Sequence, residues 1–299
     1  MKIARVHGGL LNRMWRFDTD DGSFAVKQLN RDRDWTYRHD DTFRFERAAF
    51  EAGVPMPEPI AANETVLVHR WVDGDRVPVD RPVTVDLARE VGALLARIHA
   101  LEVEWTHVSV EDPMPTEEVW RDLADRAADQ PWGAALAHLV PTLGAIGAFV
   151  DANGQPPPIV LTHRDVGQKN LLVRDGRPIL LDWETTGKMP LAAELGSTAL
   201  TLATGHTLDT LDPAVFRATV AGYVDGGGML PELGTHWFAD HLSGWTWFLR
   251  WNVERCLAGA EPASGPSLAV SHDTVRRGLA VVPAVFARME ELAALTSIG

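Results

Sequence analysis

Along the first seventy residues, apolar and polar positions read as strands joined by turns with one helix among them, and beyond them the pattern becomes helical. RMWRF and SFAVKQL flank the turn DTDDG and read as a hairpin, since their aromatic and β-branched residues suit a pleated sheet. Residues 41–52, DTFRFERAAFEA, read as a helix with Asp41 or Thr42 as its cap and Gly53 and the prolines at 55, 57 and 59 as its stop. ETVLVHRWVDG returns to strand spacing and runs into a connector. Thereafter Leu87, Val91, Leu94, Leu95, Ile98 and Leu101 recur at three-to-four spacing, the mark of an amphipathic helix. Helical periodicity continues over residues 116–150 until DANGQPPP breaks it, and IVLTHRD follows as a strand. Three more helices are expected: one from Pro213 behind the cap Asp212, one across 237–257, and one from about Asp273 to the end. The pattern predicts an α+β chain in two lobes. Residues 1–73 form an antiparallel sheet with one helix, and residues 74–299 form an α-rich part.

Charge and cysteine usage narrow the classes. A formal net charge of −13 argues against a nucleic-acid partner, which would call for clustered Lys and Arg, and suits a cationic small molecule better. The single cysteine, Cys256, can form neither an internal disulfide nor a thiolate metal site. The start MKIARVHGGLLN lacks the apolar core of a signal peptide, and no run of about 18 uninterrupted apolar residues suggests a membrane span. A cytoplasmic location is expected.

The chemistry concentrates in LTHRDVGQKNLLVRDGRPILLDWE, residues 161–184. If LLV and PILL pair around Asp175-Gly176, Asn170 and Asp182 come nearly opposite each other, so an amide oxygen and a carboxylate converge. Such hard oxygen ligands suit Mg²⁺, which takes one or two protein groups and fills its other positions with phosphate oxygens and water. Asp165, just upstream, is placed to orient an acceptor hydroxyl and take its proton. On the helix at 41–52, Glu46 shares a stripe with Phe43 and Phe50, and a carboxylate on a buried stripe needs a partner.

HRDVGQKN followed by LDWE resembles the catalytic loop and metal segment of the aminoglycoside phosphotransferase and choline kinase family, which shares the protein-kinase-like fold. The resemblance runs from Gly8 to about Glu194 in the family's order: glycine turn, lysine, helix glutamate, hinge, catalytic loop, metal segment. It implies ATP, or GTP, with Mg²⁺ as cofactors. It also implies that Asp165 is the base, that Asn170 and Asp182 hold the metal, and that Gly8, Gly9 and Asn12 form the turn over the nucleotide. Lys27 is implied to grip the phosphates in a pair with Glu46, while His69, Arg70, Trp71 and Val72 fall at the hinge that reads the purine. His163 is expected to hold the loop rather than act as base. Arg164, where the antibiotic kinases usually carry Gly, and Glu194, where the family carries Asp, depart from the pattern.

The acceptor site is expected in the helical lobe. Glu184, Asp240, Trp247, Trp251 and Glu254 are the candidates, an aromatic and acidic set suited to a cationic or sugar-like molecule. The reading is a small-molecule phosphotransferase acting on a hydroxyl by direct in-line transfer, in antibiotic resistance or in metabolism. Its rivals are a metabolite kinase of the choline or homoserine type, a catalytically silent nucleotide-binding module, and a protein kinase. The last is disfavoured because no Ala-Pro-Glu segment follows Asp182.

Overall fold

The computed structural model describes residues 1–6, 12–29, 39–107, 113–154, 156–205, 210–259 and 267–296. Among these, strands β1 (Lys2–Val6), β2 (Arg13–Thr19), β3 (Gly22–Gln28), β4 (Pro59–Ala62) and β5 (Val66–Arg70) form an antiparallel sheet in the order β1-β2-β3-β5-β4. β2 and β3 pair from Arg13↔Gln28 to Thr19↔Gly22, so Asp20 and Asp21 form a two-residue turn, and Gly22 absorbs its positive φ of 118°. Between β3 and β4 lies helix α1 (His39–Glu51). It begins two residues before the expected cap. Asp41 sits instead in its first turn, where the carboxylate accepts the backbone N–H groups of Thr106 (3.0 Å) and His107 (2.9 Å) and so ties α1 to the helical lobe. The buried face of α1 centres on Thr42, Phe45, Glu46 and Ala49, with Phe43 and Phe50 at its margins. Glu46 is buried as its stripe position requires.

The helical lobe follows in chain order as β6 (Asp75–Arg76), α2 (Val85–His99), α3 (Glu117–Arg126), α4 (Gly133–Asn153), β7 (Ile159–Thr162), β8 (Leu171–Arg174), β9 (Arg177–Leu180), β10 (Gly187–Pro190), α5 (Leu191–Ala203), α6 (Pro213–Asp225), α7 (Ala239–Ala258), α8 (Leu268–Ala287) and α9 (Met289–Ala294). The protein has the two-part, protein-kinase-like α+β fold. Side-chain caps start several helices: Asp212, the expected cap, accepts from Ala214 N–H, and Thr84 and Thr116 accept from Leu87 and Val119 N–H. The segment 116–150 divides into α3 and α4 at Trp132, and the last long helix starts at Leu268 behind the cap Ser267, five residues before the expected Asp273. α4 is long and apolar enough, by length and composition, to cross a membrane; here it packs against α3, α7 and α8 and buries Leu136, Val140, Leu143 and Ile146.

Helix α5 is absent from the sequence expectation. Nearly every residue of LAAELGSTALTLA is buried, so the segment has no polar face to reveal a helical period. It is a core helix, packed against α2, α6 and α7.

The helical lobe is held at its centre by a close crossing of α2 on α6, where Gly92 and Gly222 let the backbones touch. A Cβ at Gly92 would lie 2.0 Å from the Thr219 carbonyl oxygen and 2.8 Å from Tyr223 N. Gly92→Ala should therefore cost about 3 kcal/mol in a denaturant titration, because backbone rather than a flexible side chain must yield. Gly244→Ala on α7, where a Cβ meets nothing within 4 Å, should instead gain up to about 1 kcal/mol from helix propensity.

Candidate active site

The catalytic segment is built around one buried imidazole. β7 pairs with β10, and beyond Thr162 the chain turns through His163, Arg164 and Asp165 into a short 3-10 turn at Gln168–Asn170 before entering β8. β8 and β9 pair from Leu171↔Leu180 to Arg174↔Arg177, and Asp175 and Gly176 close the hairpin with positive φ, the geometry that favours Asp-Gly there. The register places Asn170 opposite Leu181, whose N–H donates to the Asn170 carbonyl (2.8 Å), so Asp182 lies one residue beyond the expected opposite position. There it takes up a left-handed conformation (φ 65°). His163 lies between the two limbs. Its Nε2–H donates to the Leu181 carbonyl (2.9 Å), its Nδ1 accepts the Asp165 N–H (3.3 Å), and its ring stands edge-on to Trp183 at 4.8 Å. A carbonyl can only accept, which assigns the tautomer. Burial holds the His163 pKa below its ordinary value, so the ring is neutral and structural, as expected.

Around this node the polar groups take fixed places. The Asn170 amide donates both to the Asp165 carbonyl and to Asp165 Oδ2 (2.9 Å each), and Lys169 Nζ is 2.9 Å from the same oxygen. With its N–H₂ so committed, the Asn170 amide oxygen is left as the acceptor end. Arg164 has φ 67°, and its N–H donates to Glu194 Oε1 (3.1 Å) on α5. Glu194 is 2% exposed. Burial, with Asp240 adding repulsion and Arg164 opposing it, raises its pKa to about 8.

Lys27 reaches across from the sheet. Its Nζ lies 2.7 Å from Asp182 Oδ1 and also binds Glu184, whose other oxygen accepts the Asn12 amide N–H (2.6 Å). Burial disfavours the ammonium, but the Asp182 and Glu184 charges outweigh it and hold the Lys27 pKa well above normal. The Asp182 side chain keeps 43% of its surface exposed, and against the desolvation it does suffer Lys27 holds its carboxyl below the usual range; Glu184 is pushed up by desolvation. The expected pairing of Lys27 with Glu46 is not what the chain forms. Glu46 accepts a hydrogen bond from His69 Nε2 (3.1 Å) instead, and α1 rests on the metal segment through Phe45 against Trp183 at 6.0 Å. Glu184, expected among the acceptor residues, stands with Lys27 and Asn12. Gly8 and Gly9 lie outside the described residues.

Two other expectations shift. His69 belongs to β5, paired with Ala25 and Pro59, and the N–H groups of Arg70 and Trp71 donate to Glu58 and Ser23 carbonyls (2.8 and 2.9 Å). The Arg70 guanidinium lies over Phe24 at 4.7 Å. Of the four positions expected at the hinge, His69 and Arg70 thus close β5 and Trp71 and Val72 follow it, with the Arg70 and Trp71 N–H groups committed to neighbouring strands and turns. On α7, Arg250 covers Trp247 (5.2 Å) and pairs with Glu254 (2.9 Å), and Arg255 covers Trp251 (4.4 Å). Each of these two rings thus has an arginine of the same helix over it. Asp240, by contrast, lies close enough to Glu194 to act on its charge. Beside it Ser197 of α5 meets His241 Nδ1 of α7 at 3.4 Å. Ser197 carries no motif; the resemblance marks Glu194 as a departure from the family's Asp, and as the lone acid in the apolar run of α5 it stands out in the sequence.

The raised Glu194 pKa has a definite sign. Between about pH 4.5 and 8 the folded chain holds a proton that the unfolded chain releases, so this group's contribution to stability falls as pH rises through that window. Glu194→Gln should remove that slope. Thermal midpoints of wild type and variant, measured at pH 5 and pH 8, should diverge with the variant relatively more stable at pH 8.

The sequence matches the profile of the phosphotransferase enzyme family (APH) over residues 2–229, from the first strand to the end of α6. No protein of curated function matches it significantly. Among solved structures, spectinomycin phosphotransferase APH(9)-Ia, in complex with ADP and spectinomycin, superposes with a TM-score of 0.70 at 14% identity, covering 97% of this chain and 93% of that one. Macrolide 2'-phosphotransferase MphH from Brachybacterium faecium is similar at 21% identity and TM-score 0.57, with 93% and 91% covered. Choline kinase from Cryptosporidium parvum Iowa II is similar at 10% identity and TM-score 0.60, with 98% and 88% covered. At these identities the structures speak for the fold, and the profile, spanning most of the chain with Lys27, Asp165, Asn170, Asp182, Glu184 and Glu194 inside it, shows that the protein belongs to the phosphotransferase enzyme family.

Proposed function

We propose that the protein transfers the γ-phosphoryl group of ATP to a hydroxyl of a small, cationic molecule, with Asp165 as the base. The observation that carries this reading is the orientation of Asp165: Asn170 and Lys169 hold Oδ2, and the adjoining oxygen is left for an acceptor. Asp165 would align the acceptor hydroxyl and take its proton as the phosphorus–oxygen bond forms, which in-line transfer with a loose transition state requires of the protein. Lys27, held ionised beside Asp182, would neutralise phosphate oxygens. A relative of the same fold solved with ADP supports a nucleotide donor.

The donor set also fits Mg²⁺. Asn170 offers an amide oxygen and Asp182 a carboxylate kept ionised, and a cation, the Lys27 ammonium, already lies on Asp182. When bound there, the metal supplies charge neutralisation on the phosphates. The acceptor's positive charge is inferred from the net charge of −13. His163 keeps the loop in place without exchanging a proton, because its nitrogens are both engaged.

Asp165→Ala should lower kcat by about 10²- to 10⁴-fold, the usual worth of a positioned base, with nucleotide affinity within a few-fold of wild type. Near-normal turnover of an accepted substrate would remove Asp165 from this role. Asp182→Asn should weaken ADP binding in the presence of Mg²⁺ while changing it little in chelator; equal affinity in both conditions would take the metal away from Asp182. Acceptors are best sought among aminoglycosides, macrolides, amino sugars and amino alcohols, with ATP consumption as the readout.

A further inference from the structure

The partner that Glu46 does have points to a way of choosing the nucleotide base. In an antiparallel sheet, residues opposite each other share a face, as do residues two apart on one strand. Lys27 is opposite Leu67, and Ala25 is opposite His69, so Lys27 and His69 project from the same face of the sheet. That face meets Asp182, and it is the face on which α1 brings in Glu46. Along β5, His69 lies two residues, about 7 Å, from the position opposite Lys27, on the side toward the connector that follows β5. A nucleotide with its phosphates at Lys27 and its base at the connector would pass over His69.

The imidazole is prepared for this position. Glu46 is 1% exposed, and its carboxylate accepts from His69 Nε2 at 3.1 Å, so the ring proton is committed to Nε2. Nδ1, which makes no hydrogen bond to the described residues, is then an acceptor. A carboxylate that holds one ring nitrogen thereby dictates what the other can do. Were Glu46 the partner of Lys27, nothing would fix this tautomer.

We infer that His69, oriented by Glu46, is a specificity-determining residue of the nucleotide site that favours a base with an amino group at its 6-position over one with a 6-oxo group. An amino group donates to Nδ1, whereas a carbonyl would set two acceptors against each other and leave both without a proton. Glu46 acts here as a positioning residue, through His69 and not on Lys27. This rests on the phosphotransferase reading, since it needs a nucleotide in the cleft.

The test is a set of equilibrium affinities measured by calorimetry with Mg²⁺, using ADP, inosine diphosphate and pyrophosphate as probes. Wild type should bind ADP about tenfold or more tightly than inosine diphosphate, the usual worth of one gained and one frustrated hydrogen bond. His69→Leu should bring that ratio close to one while leaving pyrophosphate affinity within about twofold. Glu46→Gln is nearly isosteric and frees the tautomer, so it should lower the ratio even if His69→Leu folds poorly. A wild type without preference for ADP, or a preference kept in both variants, overturns the inference while the phosphotransferase reading stands. A wild type that binds none of the three probes overturns the reading itself.

Discussion

The buried imidazole of His163 is the contact on which the site depends. It joins the backbone N–H of Asp165 to the backbone carbonyl of Leu181, in two stretches separated by a whole hairpin. Both bonds involve backbone, so the ring fixes where the chain runs and, through it, where Asp165 and Asp182 stand. A ring with both nitrogens satisfied inside the fold pays little for its burial, while losing either bond would leave a buried polar group unmatched. Two non-glycine residues with left-handed backbone, Arg164 and Asp182, flank these attachments. Such conformations cost free energy that the surrounding contacts must supply, and here the contacts are His163, Glu194 and Lys27.

Charge is handled differently in two clusters. Lys27, Asp182, Glu184 and Asn12 form a compact set in which each charge has an opposite or a hydrogen-bond partner, linking the sheet to the segment at 182–184. Glu194, buried on α5, accepts a backbone N–H, and burial together with the Asp240 charge keeps its carboxyl protonated up to about pH 8. The first arrangement is neutralised by opposite charges, the second by a proton. Helix α7 spends its aromatic residues elsewhere, under its own arginines.

Much of this was legible in the chain. Asp165, Asn170 and Asp182 are close in sequence and joined by one hairpin, whose Asp-Gly turn specifies its own geometry, so local rules were enough to bring them together. Aromatic and β-branched residues around short turns revealed the sheet strands, and a period of about 3.6 revealed α1 and α2, each with one wet and one dry face. Where that contrast vanishes, as in α5, the periodic signal vanishes with it, and so did the helix. The β10 strand was missed for a related reason: four residues, two of them Gly and Pro, carry too little pattern to register.

Sequence by itself determined that a sheet with one helix precedes a helix-rich part and that Asp165, Asn170 and Asp182 would lie near one another, because those follow from local spacing and from burial along one element at a time. Which acid meets which base was decided only in three dimensions. Lys27 could have been served by Glu46, Glu51, Asp182 or Glu184, and Glu46 by any donor above α1. The outcome turned on how β5 sits beside β3, how far α1 stands over the sheet, and how the hairpin at Asp175 delivers Asp182. Pairing of buried charges is a long-range matter of a few ångströms, and a one-dimensional pattern records faces, not distances.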